Sequence, residues 1–142
     1  MIKKRLPCVL QHDAADCGAA AIATVLLFYK CEMSIAKIRE IIGTEMYGTS
    51  MKGVLDGLRK FGFEAKGGRV CLDDMDKSTT LPAIARIRTP EGLNHFVVIH
   101  KVTNNFLIIA DSAQGLKKIE RLEFEKSLRE KLFLWLRLLI LN

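Results

Sequence analysis

The sequence predicts an α+β domain in which an N-terminal helical half packs on a C-terminal antiparallel β-sheet. Residues 19–29 form an apolar run rich in Ala and Leu, which favours a buried helix over a strand. In the second half the pattern changes to short β-branched runs, above all 94–102 and 106–110, joined by the turn residues Thr103–Asn105. The 142 residues suffice for one domain with a core, so we expect residues 1–142 to form a single domain.

Three helices are predicted in the first half. The first runs from about Asp16 to Tyr29, with Asp13 or Asp16 as its N-cap. The second is capped by Ser34, carries isoleucines along one face and stops at Gly43. The third begins after Ser50 and ends at Gly62.

The second half is predicted to be mostly strands. Besides the hairpin, the pattern indicates strands at 63–71, 82–88, 117–121 and 132–141 and a helix at 122–129. The acidic cluster Asp73–Asp76 lies between two of these strands. It has neither the spacing nor the glycine of an EF-hand, so we interpret it as a solvated loop or helix start and expect no metal.

Composition excludes several classes of protein. The net charge of +6 comes from 22 basic and 16 acidic residues that are scattered along the chain, and no nucleic-acid-binding module accompanies them. No apolar run reaches the ~20 residues of a membrane helix, and the basic start has no apolar segment typical of a signal peptide. We therefore expect this fragment to be soluble and to lie in a reducing compartment. Its cysteines at 8, 17, 31 and 71 form no C-x-x-C pair.

Cys17 is the candidate nucleophile because it falls at or near the first turn of the first helix. The positive end of the helix dipole favours a thiolate there, and the thiolate is the form that attacks a carbonyl carbon. The alternative is a small buried hydrophobic residue chosen for packing. Gln11, six residues upstream, favours catalysis, since its side-chain amide and the Cys17 backbone N–H are the donors that an oxyanion needs.

His95 and Asp111 are the candidate base and its orienting carboxylate. If the hairpin turn has three residues, Val97 lies opposite Asp111, and His95 then projects from the same face as Asp111. A turn one residue shorter would place them on opposite faces. The alternatives are a solvated histidine and an aspartate that only closes a turn. His12 and His100 are rival bases, one on the nucleophile's own loop and the other mid-strand.

Several segments together resemble the double-glycine leader peptidase domain. This papain-like domain forms the N-terminus of ABC transporters that export bacteriocins and peptide pheromones. The matching segments include Asp16–Ala20 and Asn94–Ile99, and the resemblance covers about residues 5–125. Within them, Asp16–Ala19 and His95–Ile99 together are a strong signal, whereas either alone would be weak. The other matching segments are Gln11, Met33–Arg39, Gly48–Ser50, Leu58, Gly62–Phe63, Ala110–Asp111 and Gly115.

The resemblance implies a cysteine endopeptidase. Cys17 would be the nucleophile, His95 the base, Asp111 the residue that orients the base, and Gln11 the oxyanion donor. The substrate would be a precursor peptide, cut after a Gly-Gly or Gly-Ala pair and bound through an amphipathic helical leader. Met46, Tyr47, Met51 and Leu55 are candidates for the leader-binding groove, with core positions as the alternative.

The same resemblance implies partners and a location. Transmembrane and ATPase domains of a transporter would accompany this domain at the cytoplasmic face of a bacterial plasma membrane. ATP would be needed only by the separate ATPase domain, and the peptidase domain itself would need no cofactor and no metal. The alternatives are a leader-docking domain that does not cleave and another papain-like hydrolase. Retention of Cys17, His95 and Asp111 argues against mere docking.

Two departures from the family pattern stand out. The family usually has proline after the aspartate, where this chain has Ser112, and loss of proline is expected to loosen the turn. The family's C-terminal Trp-Thr-Gly segment has no clear counterpart, because Trp135 lies in the sequence Leu134-Trp135-Leu136-Arg137.

Overall fold

The computed structural model describes residues 6–43, 50–69, 72 and 81–138. Four helices lie within them, each close to a predicted position: α1 (Cys17–Phe28), α2 (Ile35–Ile42), α3 (Met51–Lys60) and α4 (Arg121–Ser127). The strands are β1 (Phe63–Arg69), β2 (Ala83–Arg88), β3 (Asn94–Val102), β4 (Phe106–Asp111), β5 (Gly115–Glu120) and β6 (Leu128–Leu138). The predictions for Asp73–Asp76, Met46 and Tyr47 fall outside the described residues.

The described strands form one six-stranded sheet in the order β1-β6-β2-β3-β4-β5. Every neighbouring pair is antiparallel, which confirms the predicted α+β class. The C-terminal strand lies between β1 and β2, an arrangement that no local pattern in the sequence predicted. It contains Trp135, whose backbone pairs with Lys66 of β1.

Helix α1 lies in the centre of the helical half. Its ten residues Cys17–Leu26 are all buried, because α2 and α3 and one face of the sheet surround it. A helix that is apolar all round is stable only in such a position, and its alanines let the neighbouring backbones approach. Between α2 and α3 the approach is close enough that a Cβ on Gly57 would collide with Ile42. Met51 and Leu55 pack partly against this core.

The opposite face of the sheet has its own core. Phe124 of α4 is completely buried there against side chains of β2, β3 and β4, with Leu107 among them. The sheet therefore has apolar residues on both faces, which explains why six consecutive residues of β3, 95–100, are buried instead of every second one.

Helix caps follow the sequence signals. The hydroxyls of Ser34 and Ser50 accept the backbone N–H of Lys37 and Gly53, and α2 ends at Gly43 with φ +67. At α1, Asp13 caps a short 3-10 turn over Ala14–Asp16, and the helix proper then begins at Cys17.

The β3–β4 hairpin has the predicted strand bounds but a different register beside its turn. Val102 pairs with Leu107, which leaves four residues between them rather than three. The ladder then shifts by one residue between Ile99 and Lys101, and beyond this bulge Val97 lies opposite Asp111. The predicted pairing of Val97 with Asp111 is confirmed, although a bulge and not the turn length produces it.

Candidate active site

The N-terminal segment 7–11 lies between helix α1 and the β3–β4 hairpin. The Val9 N–H donates to the hydroxyl of Thr24 in α1 at 3.0 Å. On the hairpin side, His100 Nε2 lies 2.8 Å from the Pro7 carbonyl, and the Cys8 thiol lies 3.6 Å from the Asp111 carbonyl. These contacts hold the segment beside the start of α1 and the end of β4.

Cys17 is the first residue of α1 and is 8% exposed. The residue before it, Asp16, is 1% exposed and lies 3.0 Å from the guanidinium of Arg39 in α2. The other carboxylate oxygen of Asp16 accepts the Asp13 N–H at 3.2 Å and completes a capping box. The turn that presents the thiol is therefore fixed to α2 as well as to α1.

His95 lies between Asp111 and Cys17. Its Nε2 is 2.8 Å from Oδ1 of Asp111, and its imidazole also hydrogen-bonds the Cys17 thiol. Asp111 Oδ1 accepts a further hydrogen bond from the Ala113 N–H at 2.9 Å. All three members of this chain of contacts are buried. The structure thus brings together three residues from the start of α1, the start of β3 and the end of β4.

Protonation in this cluster favours a charged pair. Burial alone would raise the pKa of the Cys17 thiol, but hydrogen bonding and charge from His95, with the Phe96 and Gly18 backbone, lower it below its usual value. Burial acts in the opposite sense on His95, yet Asp111 and Cys17 together raise the pKa of His95 to about 9. Both shifts favour a thiolate beside an imidazolium over the neutral pair.

The carboxylate keeps its charge for a similar reason. Burial would raise the pKa of Asp111, but hydrogen bonds from His95 and Ala113, and the charges of His95 and Lys117, outweigh burial and lower it. An ionised Asp111 can hold the imidazole in one orientation and stabilise its positive charge.

Gln11 joins the cluster through Ser112, the residue after Asp111. The Gln11 N–H donates to the Ser112 carbonyl at 2.9 Å, and the Ser112 hydroxyl donates to Gln11 Oε1 at 2.6 Å. Ser112 is 5% exposed. Replacing proline by serine at this position thus also creates a direct side-chain link to Gln11, which the sequence did not predict.

The rival histidines lie elsewhere. His12 is exposed on the loop before α1. His100 is the extra residue of the β3 bulge, is buried, and binds the Pro7 carbonyl rather than the thiol. Burial lowers the pKa of His100, so a neutral imidazole donates to that carbonyl.

Sequence reasoning did not identify two residues that support the cluster, Arg39 and Ser112. Arg39 looks like any charged residue on the outer side of an amphipathic helix, and only the fold brings it to Asp16. Ser112 was visible as a departure from the family pattern, but its contact with Gln11 spans 101 positions and no local signal predicts it.

Across 6–43, 50–69, 72 and 81–138, no group of three or more His, Cys, Asp or Glu side chains could hold a metal ion. None of the helices in these ranges combines the length and the apolar character required to cross a bilayer.

A buried thiol at a helix start, hydrogen-bonded to an imidazole that a carboxylate orients, is the arrangement of cysteine peptidases. On a fold with a helical half and an antiparallel sheet, it defines the papain-like class. Comparison with known proteins gives the particular family: the model of the peptidase C39 family matches residues 5–136. The chain belongs to the peptidase C39 family and is a cysteine peptidase domain.

Curated relatives are processing transporters. The chain is 36% identical over 119 residues to the lactococcin-G-processing and transport ATP-binding protein LagD of Lactococcus lactis subsp. lactis, covering 83% of this chain and 17% of LagD. It is 30% identical over 129 residues to the mesentericin-Y105 transport/processing protein MesD of Leuconostoc mesenteroides, covering 89% of this chain and 18% of MesD. The chain thus spans about a sixth of the length of these relatives.

Two solved structures share the fold. The peptidase domain of Streptococcus ComA, a bi-functional ABC transporter involved in quorum sensing, superposes with a TM-score of 0.87 at 29% identity, covering 95% of this chain and 100% of that one. A double glycine motif protease from an AMS/PCAT transporter, in complex with its leader peptide, gives 0.84 at 32% identity, covering 95% and 93%.

Proposed function

We propose that this domain removes the leader from a precursor peptide by cutting after a Gly-Gly or Gly-Ala pair. The observation that carries the proposal is the continuous contact from Asp111 through His95 to Cys17, with the pKa of Cys17 lowered. The relatives supply the substrate class, since one structural neighbour is a double glycine motif protease bound to a leader peptide.

The chemistry begins at the thiolate. Cys17 Sγ attacks the carbonyl carbon after the second small residue, and the carbonyl oxygen becomes an oxyanion. The side-chain amide of Gln11 and the backbone N–H of Cys17 are the proposed donors to that oxygen. Two tiny residues before the scissile bond suit a narrow cleft that larger side chains cannot enter.

His95 serves as acid and then as base. Its pKa of about 9 keeps the ring protonated at neutral pH, so it can give a proton to the leaving amine as the C–N bond breaks. The neutral imidazole then takes a proton from a water molecule that attacks the thioester. Release of the leader regenerates the thiolate–imidazolium pair, while Asp111 keeps the ring in place throughout.

We further propose that this domain is the N-terminal part of a longer peptide exporter. The lengths and names of LagD and MesD support this. Transmembrane and ATPase domains would then hold it at the cytoplasmic face of the bacterial membrane, and ATP would act only at the ATPase domain. An antiserum raised against this domain should detect a membrane-bound polypeptide far larger than 142 residues. Detection of a free polypeptide of this size alone would refute the exporter proposal.

The test of the cleavage proposal uses a synthetic helical leader that ends in Gly-Gly and continues into a short cargo sequence. The wild-type domain should yield a single cut after the second Gly in mass spectra, and Cys17→Ala should yield none. Cys31→Ala is the matched control, because Cys31 is an exposed free cysteine and its removal should leave the rate unchanged. Binding without cleavage by both the wild type and Cys17→Ala would instead assign a docking role.

A further inference from the structure

Asp111 and Ser112 are adjacent residues that contact two different groups of the site. Asp111 binds the imidazole of His95, and Ser112 binds Gln11 through both its hydroxyl and its carbonyl. The backbone contact fixes where Gln11 lies, and the 2.6 Å side-chain contact fixes one end of its carboxamide. Because Ser112 is 5% exposed, solvent has little access from its side to compete for that contact.

The direction of the side-chain contact matters for catalysis. A carboxamide has one end that accepts hydrogen bonds and another that donates them. The Ser112 hydroxyl donates to Oε1, so the acceptor end of Gln11 is occupied and the NH₂ end is left for another partner. A carboxamide without this anchor could turn over and present its oxygen, which would repel an oxyanion instead of stabilising it.

We propose that Ser112 is a positioning residue that holds the Gln11 amide in its donating orientation. The inference rests on the proposed function, in which Gln11 stabilises the oxyanion. Adjacent residues at the end of β4 then orient the base and the oxyanion donor together. Ser112 would act through its contacts with Gln11 rather than on the reacting atoms.

The first experiment is a kinetic cycle with Ser112→Ala, Gln11→Ala and the double variant on a Gly-Gly leader substrate. Loss of an oxyanion donor costs about 10²–10³-fold in kcat, and loss of its anchor should cost less, about tenfold, with KM unchanged. The Ser112→Ala change should cause no further loss when Gln11 is already alanine. Ser112→Thr keeps the hydroxyl and should restore most of kcat.

Two controls separate positioning from folding. The rate of Cys17 alkylation does not require an oxyanion donor, so Ser112→Ala should leave its pH profile unchanged. Ser50→Ala removes the hydroxyl that caps α3 and should leave kcat at the wild-type value. An unchanged kcat in Ser112→Ala, or losses that multiply in the double variant, would overturn the inference.

A second measurement tests without any substrate whether Ser112 positions Gln11. Nitrogen-15 relaxation of the Gln11 side-chain amide reports its order, which should fall in Ser112→Ala and be kept in Ser112→Thr. If the wild type cuts no double-glycine peptide, the proposed function fails, and this measurement still decides whether Ser112 positions Gln11. Equal order in the wild type and Ser112→Ala would refute the positioning role.

Discussion

His95 Nε2 lies 2.8 Å from Oδ1 of Asp111, and both side chains are buried. The carboxylate stabilises the protonated ring, and the protonated ring in turn stabilises the thiolate of Cys17. The ionisation of Cys17 therefore depends on Asp111, which acts on the thiol through His95.

The pH dependence of Cys17 alkylation should show a lowered thiol pKa. The rate with iodoacetamide should rise at lower pH than for an ordinary thiol, since His95 lowers the pKa of Cys17. Peptide cleavage should fall as pH rises through about 9, because His95 then loses the proton that it gives to the leaving amine. Mass spectrometry of the Cys17 peptide measures the first profile, and initial rates measure the second. An alkylation rate that rises only at the ordinary thiol pKa would contradict the ion pair.

Asp111→Asn should lower kcat by about 10²–10⁴-fold, because a neutral amide neither favours the protonated ring nor ensures its orientation. The same change should shift the alkylation profile of Cys17 to higher pH, since a less basic His95 stabilises the thiolate less. Steady-state kinetics and the alkylation profile together measure both effects.

Asp56→Asn is the control for that substitution. Asp56 is a half-exposed carboxylate on α3 whose ion partners are the lysine and arginine beside it on the same helix. Both measurements should match the wild type in this variant. A wild-type alkylation profile in Asp111→Asn would show that Asp111 does not govern the thiol.

Thr24→Val should loosen the N-terminal segment without enlarging any cavity. Thr24 is 2% exposed and its hydroxyl accepts the Val9 N–H, so valine of similar shape leaves that N–H without its partner. The expected cost is about 1–2 kcal/mol of unfolding free energy, measured in urea. Amide exchange at Val9 should quicken. Thr24→Ser keeps the hydroxyl and should preserve slow exchange; equally slow exchange in Thr24→Val would contradict the role of this contact.

Helix ends and buried helices depend on residues that are close together in the chain, so the sequence predicts them. The predicted helix ends at Ser34, Ser50 and Gly43 are all confirmed. The serine hydroxyls accept backbone N–H groups of the first turn, and Gly43 adopts the left-handed conformation that ends α2. The uniformly apolar α1 likewise needs only its composition to identify it as a buried helix.

The pairing of strand residues that are far apart in the chain cannot be predicted in this way. The register that sets His95 and Asp111 together depends on a bulge at His100, whose side chain binds the Pro7 carbonyl far away in sequence. With the register beside the turn continued unchanged, Val98 and not Val97 would face Asp111. The place of β6 between β1 and β2 is equally non-local, since no turn or short connection specifies it.

Asp16, the residue before Cys17, forms an ion pair with Arg39 of α2. Asp16 is 1% exposed and its Oδ1 lies 3.0 Å from Arg39, so Arg39→Ala leaves a buried carboxylate without its counter-charge. Removing a partner from a fully buried pair costs about 3–5 kcal/mol, and from an exposed pair about 1 kcal/mol or less. Because the Arg39 side chain is 40% exposed and solvent screens it, we expect about 2 kcal/mol of unfolding free energy in urea titrations.

The cost of Arg39→Ala should depend on the charge of Asp16. Asp16→Asn removes that charge, so the double variant should be more stable than the sum of the two single losses implies. Lys37→Ala on the same helix breaks only an exposed ion pair, with Glu40, and should stay within about 0.5 kcal/mol of the wild type. Strictly additive losses for Arg39→Ala and Asp16→Asn would mean that Arg39 supports α2 by packing alone. In that case the pair would not hold the turn that presents Cys17.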